Sequence, residues 1–205
     1  MEAATEARRD RIMTLRRIKL VAAVLSLLIA ASAAVSHSSA YQSAERKIRF
    51  LEDNGGRQPP EPATTTLTAA EINAYLAEGG VELPVGVQRV RFSSVPAVVT
   101  AAARVDFDKL TAGRPMNPFM AVFFTGVHDV AVEAQASGSN GTGSVRVESV
   151  SIDGVKVPRA ALQFLVDHYL KPKYGSAVGL DSSFRLPARI HTAVVGQNQL
   201  SLTQR

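Results

Sequence analysis

Residues 130–152, VAVEAQASGSNGTGSVRVESVSI, decide the architecture. Val130, Val132, Ala134 and Ala136 share one parity, while Asp129, Glu133 and Gln135 share the other, the period-two pattern of a half-buried antiparallel strand. Ser137-Gly138-Ser139-Asn140-Gly141-Thr142-Gly143 follows, so the spacing predicts a hairpin with a long, flexible tip. On the return, Val145 and Val147 are odd but Val150 and Ile152 are even. The buried face thus changes parity near Glu148-Ser149, which predicts a bulge or a sharp bend there.

Upstream, the odd positions from Val95 to Phe107 read Val, Ala, Val, Ala, Ala, Val, Phe, and the even side ends in Arg104, Asp106 and Asp108, a further strand with one apolar face. An apolar stretch, Phe119 to Phe124, leads into the strand that follows. Downstream, Pro158 suits the first position of a helix running to about Leu170, closed by Lys171-Pro172-Lys173. Leu162, Leu165, Val166 and Tyr169 form its apolar stripe, widened by Ala161 and Phe164, so it packs on the sheet. Residues 189–195 and 199–202 read as a final hairpin around Gly196-Gln197-Asn198. At the other end, Thr68-Ala69-Ala70-Glu71 is a capping box flanked by Leu67 and Ile72, opening a helix that stops at Gly79-Gly80. Helix, four strands, helix, two strands define an α+β domain over 67–205, with a long curved antiparallel sheet of about six strands packed on two helices.

Ahead of that domain, the chain divides into a basic N-terminus (1–19), an apolar segment (20–40) and a tether (41–66). The run 20–35, LVAAVLSLLIAASAAV, is sixteen residues without a charge, and reading on to Ala40 makes twenty-one. A spanning helix needs roughly 20 apolar residues and a signal-peptide core about 7 to 15. A retained anchor and a cleaved signal therefore both fit, the second through triplets such as Ala31-Ser32-Ala33 and Ser38-Ser39-Ala40. Six basic residues precede the run against Arg46, Lys47 and Arg49 soon after it, which puts the N-terminus in the cytoplasm and the domain outside. Arg16-Arg17 fits a twin-arginine signal poorly. In the tether, 43–52 reads as a short mixed-charge helix, and Gly55-Gly56 and Pro59-Pro60 stop it.

The chain carries +5, yet from Tyr41 onward there are 17 basic and 15 acidic residues, so the basic excess belongs to topology and not to nucleic-acid binding. The absence of cysteine excludes disulfides, thiolate nucleophiles and thiolate metal sites. His128-Asp129 resembles an acid–base pair, but neighbours on a strand point to opposite faces. Asp167-His168, adjacent on a helix, do not converge, and Asp106 and Asp108 share a strand face as part of a surface charge network with Arg104 and Lys109. His37, His128, His168 and His191 lack metal-ligand spacing, and no HExxH, phosphate loop or GxSxG occurs. Asn140-Gly141-Thr142 matches a glycosylation sequon and reads better as a turn. No catalytic, cofactor or metal residue is expected.

Taken in order, TLTAAEINAYLAEGG (66–80), VELPVGVQRVRF (81–92), ARVDFDKL (103–110), VRVESVSIDGVKVP (145–158) and LPARIHTAVVGQNQLSL (186–202) resemble bacterial membrane-anchored envelope domains of the AsmA-like and tubular lipid-binding (TULIP-like) kind. The resemblance is one of order and texture, and it implies a sheet curled about a helix around a groove for acyl chains. Independently of it, the small residues of the 95–105 strand suit a groove lining. The lining expected is Val95, Ala97, Val99, Ala101, Ala103, Val105, Phe164, Leu165 and Tyr169. The function that follows is a non-enzymatic, single-pass protein of the bacterial inner membrane, its domain periplasmic, or secreted if the segment is cleaved, binding or passing lipid or another hydrophobic ligand. The alternative is an interaction or scaffold module with a filled core, partnered by another envelope protein.

Overall fold

The computed structural model describes residues 37–110, 118–121, 124–175 and 179–205. Residues 1–36, which hold the basic N-terminus and the apolar run 20–35, lie outside them. No helix among the described residues is long and apolar enough to cross a membrane.

The stretch expected as a tether is largely folded. Ser38 caps helix α1 (Ser39–Gly56) by accepting a hydrogen bond from the Tyr41 amide at 3.1 Å. The helix buries Tyr41, Ala44, Leu51 and Asn54, one stripe at helical spacing. Gly55 and Gly56 do end it, but only residues 57–62 separate it from strand β1 (Ala63–Thr68), which pairs antiparallel with the last strand of the chain. The compact unit therefore begins at His37 and not at 67. Helix α2 (Ala69–Ala77) opens as expected: the Thr68 hydroxyl accepts from the Glu71 amide, and a Glu71 carboxylate oxygen accepts from the Thr68 amide.

Among the described residues, nine strands form one antiparallel sheet where about six were expected. After β1 come β2 (Val87–Val95), β3 (Val98–Asp106), β4 (Val127–Ser139), β5 (Thr142–Ile152), β6 (Val155–Lys156), β7 (Asp181–Arg185), β8 (Ile190–Gly196) and β9 (Gln199–Gln204). The order is β1-β9-β8-β4-β3-β2, with β5 on the other edge of β4 and carrying β6 and β7. Strand β4 changes partner along its length: it pairs with β3 up to Gln135 and with β8 at Gly138. The expected continuous strand 95–107 is interrupted at both ends. A turn at Pro96-Ala97, with Ala97 at φ 65°, separates β2 from β3, and Phe107–Leu110 form a helical turn, α3. A second such turn, α4, covers Pro118–Ala121.

The β4–β5 hairpin is present, but its tip is tight. Only Asn140 and Gly141 lie outside the ladder, both at positive φ (51° and 75°), the two-residue turn that matches strand twist. The flanking glycines are there for closeness and not for mobility: a Cβ on Gly138 would fall 2.8 Å from that of Ala193, and one on Gly143 2.9 Å from the Phe184 ring. The predicted change of parity occurs as a bulge at Glu148, since Ser149 faces Glu133 while Val147 faces Ala134. Val145, Val147, Val150 and Ile152 consequently share the inner face.

Pro172 does not close the long helix. Arg159–Leu165 are α-helical, Val166–Leu170 form a π turn, and Lys171–Tyr174 are α-helical again, together α5. Proline lacks the N–H that would bond to the His168 carbonyl and crowds that oxygen, and the helix absorbs this by widening, the Lys171 amide bonding back to Val166. Two cores result. One lies between α5 and β3–β5, around Phe107, Phe124, Ile152, Leu162 and Tyr169, and the other joins α1 and α2 to β1, β8 and β9 through Ala44, Leu51, Leu67, Ile190 and Leu202.

Candidate functional site

The inner face of the curled sheet is built from register. Val99, Ala101 and Ala103 stand opposite Ala134, Val132 and Val130, which in turn face Val147, Val150 and Ile152. Directly opposed residues project to the same side, so three strands present one surface of valines and alanines. Helix α5 covers its lower half incompletely. A hollow of about 250 Å³ remains, lined by Val105, Phe107, Val132, Val147, Val150 and Ile152 from the sheet side and by Leu162, Leu165, Val166 and Leu170 from the helix. The π turn contributes two of those helix residues. A second apolar hollow of about 310 Å³ lies further along the same face, among Val99, Val145, Phe184, Leu186, Val195 and Leu200. The two abut on β5, where Val147 lines one and Val145 the other.

Of the nine residues expected to line a groove, Val105 and Leu165 line the first hollow and Val99 the second. Ala103, Phe164 and Tyr169 pack in the core beside the first hollow, and Ala101 is half-buried in the row between the two. Val95 and Ala97 are misplaced by that expectation. Val95 ends β2 and is 47% exposed, Ala97 lies in the β2–β3 turn, and neither belongs to the inward alternation of β3. The β5 residues Val147, Val150 and Ile152 were missed as lining, although their parity was readable.

The titratable residues are distributed differently from any catalytic set. His128 turns from Asp129 to Asp153, in the β5–β6 turn: Nδ1 lies 2.6 Å from an Asp153 carboxylate oxygen, and Nε2 lies 2.6 Å from the Thr125 carbonyl. The Asp153 contact raises the His128 pKa above its ordinary value, the Thr125 carbonyl adds to it, and burial opposes both. Asp106 ends β3 and pairs with Lys109 at 3.1 Å, whereas Asp108 lies in the α3 turn, so the two do not share a strand face. Asp167 bonds to Lys171 and Gln163, and His168 stacks on Phe164 at 4.1 Å. His37 stacks on Tyr41 and His191 contacts Arg205. Among the described residues, no three His, Asp or Glu side chains are placed to hold a metal ion.

Glu71 is the strongly perturbed group. Burial works to raise its pKa, but hydrogen bonds from Lys47 (2.7 and 2.8 Å), the Ser43 hydroxyl (2.6 Å) and the Thr68 amide outweigh it and hold the carboxyl at about 2. All its partners are structural, so the carboxylate fastens α1 to the start of α2. No family model, no curated protein and no solved structure matches the chain.

Proposed function

We propose that the folded unit binds or passes a hydrophobic ligand bearing an acyl chain, laid along β5 through the two abutting hollows, and that it does so as a non-enzymatic protein of the bacterial envelope held at the inner membrane by the 20–40 segment. The observation that carries this reading is the apolar space on the inner face of the sheet, one hollow under α5 and the other further along β5. Well-packed interiors leave few voids larger than a water molecule, whereas here hollows of about 250 and 310 Å³ lie next to each other along β5, and it is their combined space that reaches the roughly 300–1,000 Å³ of ligand pockets. Their walls are valine, leucine, alanine and phenylalanine, which suits a chain of methylenes, each contributing about 0.8 kcal/mol on burial. The resemblance to AsmA-like and TULIP-like domains points to the same class of ligand.

The test is photolabelling of the full chain with a diazirine-bearing fatty acid, with crosslinks mapped by mass spectrometry. Labels are expected on β5 and on α5 around Leu162–Leu170, and Val147→Trp, which fills the junction of the hollows, should remove them while the far-UV spectrum is unchanged. Labels confined to residues 20–35, or labelling indifferent to Val147→Trp, would favour the scaffold with a filled core.

A further inference from the structure

The outer face of the same sheet carries a second concavity of opposite chemistry. Arg91, Ala102, Ala131, Ser151 and Lys156 stand in one row across β2 to β6, each opposite the next. Small side chains floor the middle of that row. Arg89, Arg91 and Arg104 gather beside it around a hollow of about 390 Å³, with Asp129 as the one carboxylate in its lining and the Asp153 carboxylate, paired with His128, near enough to Arg104 to feel its charge. Arg104 and Asp129 approach only to 3.8 Å, and among the described residues the Arg89 and Arg91 side chains make no ion pair or hydrogen bond.

This gathering is made by a bulge. Gln88 faces Arg104 and Arg91 faces Ala102, so Arg89 and Val90 together oppose Ala103. In a regular strand Arg91, three residues beyond the outward Gln88, would point inward. The extra residue resets the parity and brings Arg91 to the face that holds Arg104. Arg89 takes the left-handed conformation at φ 52°, a position where glycine would sit without strain. The left-handed residue belongs to the bulge, and its side chain lines the arginine-rich hollow.

We propose that this pocket binds a phosphate group. Three guanidiniums offer more N–H donors than one planar carboxylate can use, whereas a tetrahedral phosphate, singly charged as a diester and up to doubly charged as a monoester, presents oxygens out of one plane and meets the excess of positive charge. The group is either a phospholipid headgroup at the bilayer surface or a phosphate on a soluble molecule. The site lies on the face opposite the apolar hollows and does not depend on their occupancy.

The experiment uses the full chain, labelled with ¹⁵N, in non-ionic detergent micelles. The arginine Nε–Hε resonances are followed while inorganic phosphate replaces chloride at constant ionic strength, and separately while phosphatidylglycerol replaces neutral lipid in the micelles. Saturable shifts of the Arg89, Arg91 and Arg104 signals are expected. Arg91→Gln should weaken the response about tenfold or more, as loss of a charge-assisted contact does. Arg89→Gly should weaken it similarly while leaving the melting temperature unchanged or higher, which separates lost binding from lost folding. Asp129→Asn should tighten it. Response to free phosphate assigns the soluble ligand, and response to phosphatidylglycerol alone assigns the headgroup. No saturable shift with either probe, or shifts unaltered in both arginine variants, overturns the proposal.

Discussion

Lys47 Nζ lies 2.7 Å from one carboxylate oxygen of Glu71 and 2.8 Å from the other, and this contact joins a helix expected as tether to the capping box that opens α2. One carboxylate thus serves two purposes, since the same group accepts from the Thr68 amide and the Ser43 hydroxyl. Its side chain is only 10% exposed, so the contact is shielded from solvent.

Acid should expose that contact. A Glu whose carboxyl falls from 4.5 to about 2 on folding contributes stability that is present above pH 4.5 and lost as pH drops through about 2. The size is on the order of 3 kcal/mol. Urea unfolding of Glu71→Gln should show a deficit of about 2–3 kcal/mol at pH 7, closing toward zero near pH 2. A deficit that stays constant across that range would mean the carboxylate charge is irrelevant.

Helix α1 was read over 43–52 as part of a tether, and its docking on the sheet was hidden for a physical reason. Its buried stripe includes an alanine and Asn54, and the groups that make the stripe useful come from residues far away in sequence. The capping box, by contrast, is complete within four residues, and the Glu148 bulge is written into the parity of Val145 to Ile152, so both were legible. The same local parity placed Val105 at the first hollow and Val99 at the second, while Val147, Val150 and Ile152 were passed over although their parity was equally readable. The arginine pocket was invisible because the bulge that assembles it is defined only by the register of β2 against β3. Strand β7, DSSFR, escaped because exposed edge residues carry no apolar alternation.

His128 should titrate above its ordinary value. Both ring nitrogens face acceptors, Asp153 and the Thr125 carbonyl, so the doubly protonated ring satisfies both at once. The raised pKa contributes stability that is complete below pH 6.5 and lost as pH rises through the folded value, while Asp153, lowered from 3.8, loses its contribution as pH falls. The pair is therefore strongest between about pH 4 and 6.5. Imidazole proton NMR of the wild type should give a His128 midpoint above 6.5, and Asp153→Asn should bring it down. An unchanged midpoint in that variant refutes the pairing.

Gln204, the next-to-last residue, is fully buried. Its amide nitrogen donates to the Leu51 and Ala188 carbonyls at 2.8 and 2.6 Å, and its oxygen accepts from Asn54 at 2.9 Å. Asn54 returns to the chain by donating to the Glu61 carbonyl and accepting from its amide, both at 2.9 Å. Truncation leaves several buried groups without partners, so Gln204→Ala should cost about 3 kcal/mol in urea unfolding. Asn54→Ala should add much less in its presence than alone, because both changes break one network. Full additivity would show the two amides to be independent.

Pro172 controls the shape of the inner hollow. Its missing N–H leaves the π turn at Val166–Leu170 as the way past the His168 carbonyl, and Val166 and Leu170 from that turn line the space. Alanine restores the donor and removes the ring, which allows α-helical winding through 166–174 and removes a helix-interior proline worth up to about 3 kcal/mol. Pro172→Ala is therefore expected to raise the melting temperature. Rewinding by one residue turns the following side chains by about 100° and takes Leu170 off the hollow. Photolabelling of α5 by the diazirine fatty acid should accordingly fall in the stabilised variant. A gain in stability with labelling unchanged would separate the π turn from ligand binding and leave it a purely local response to proline.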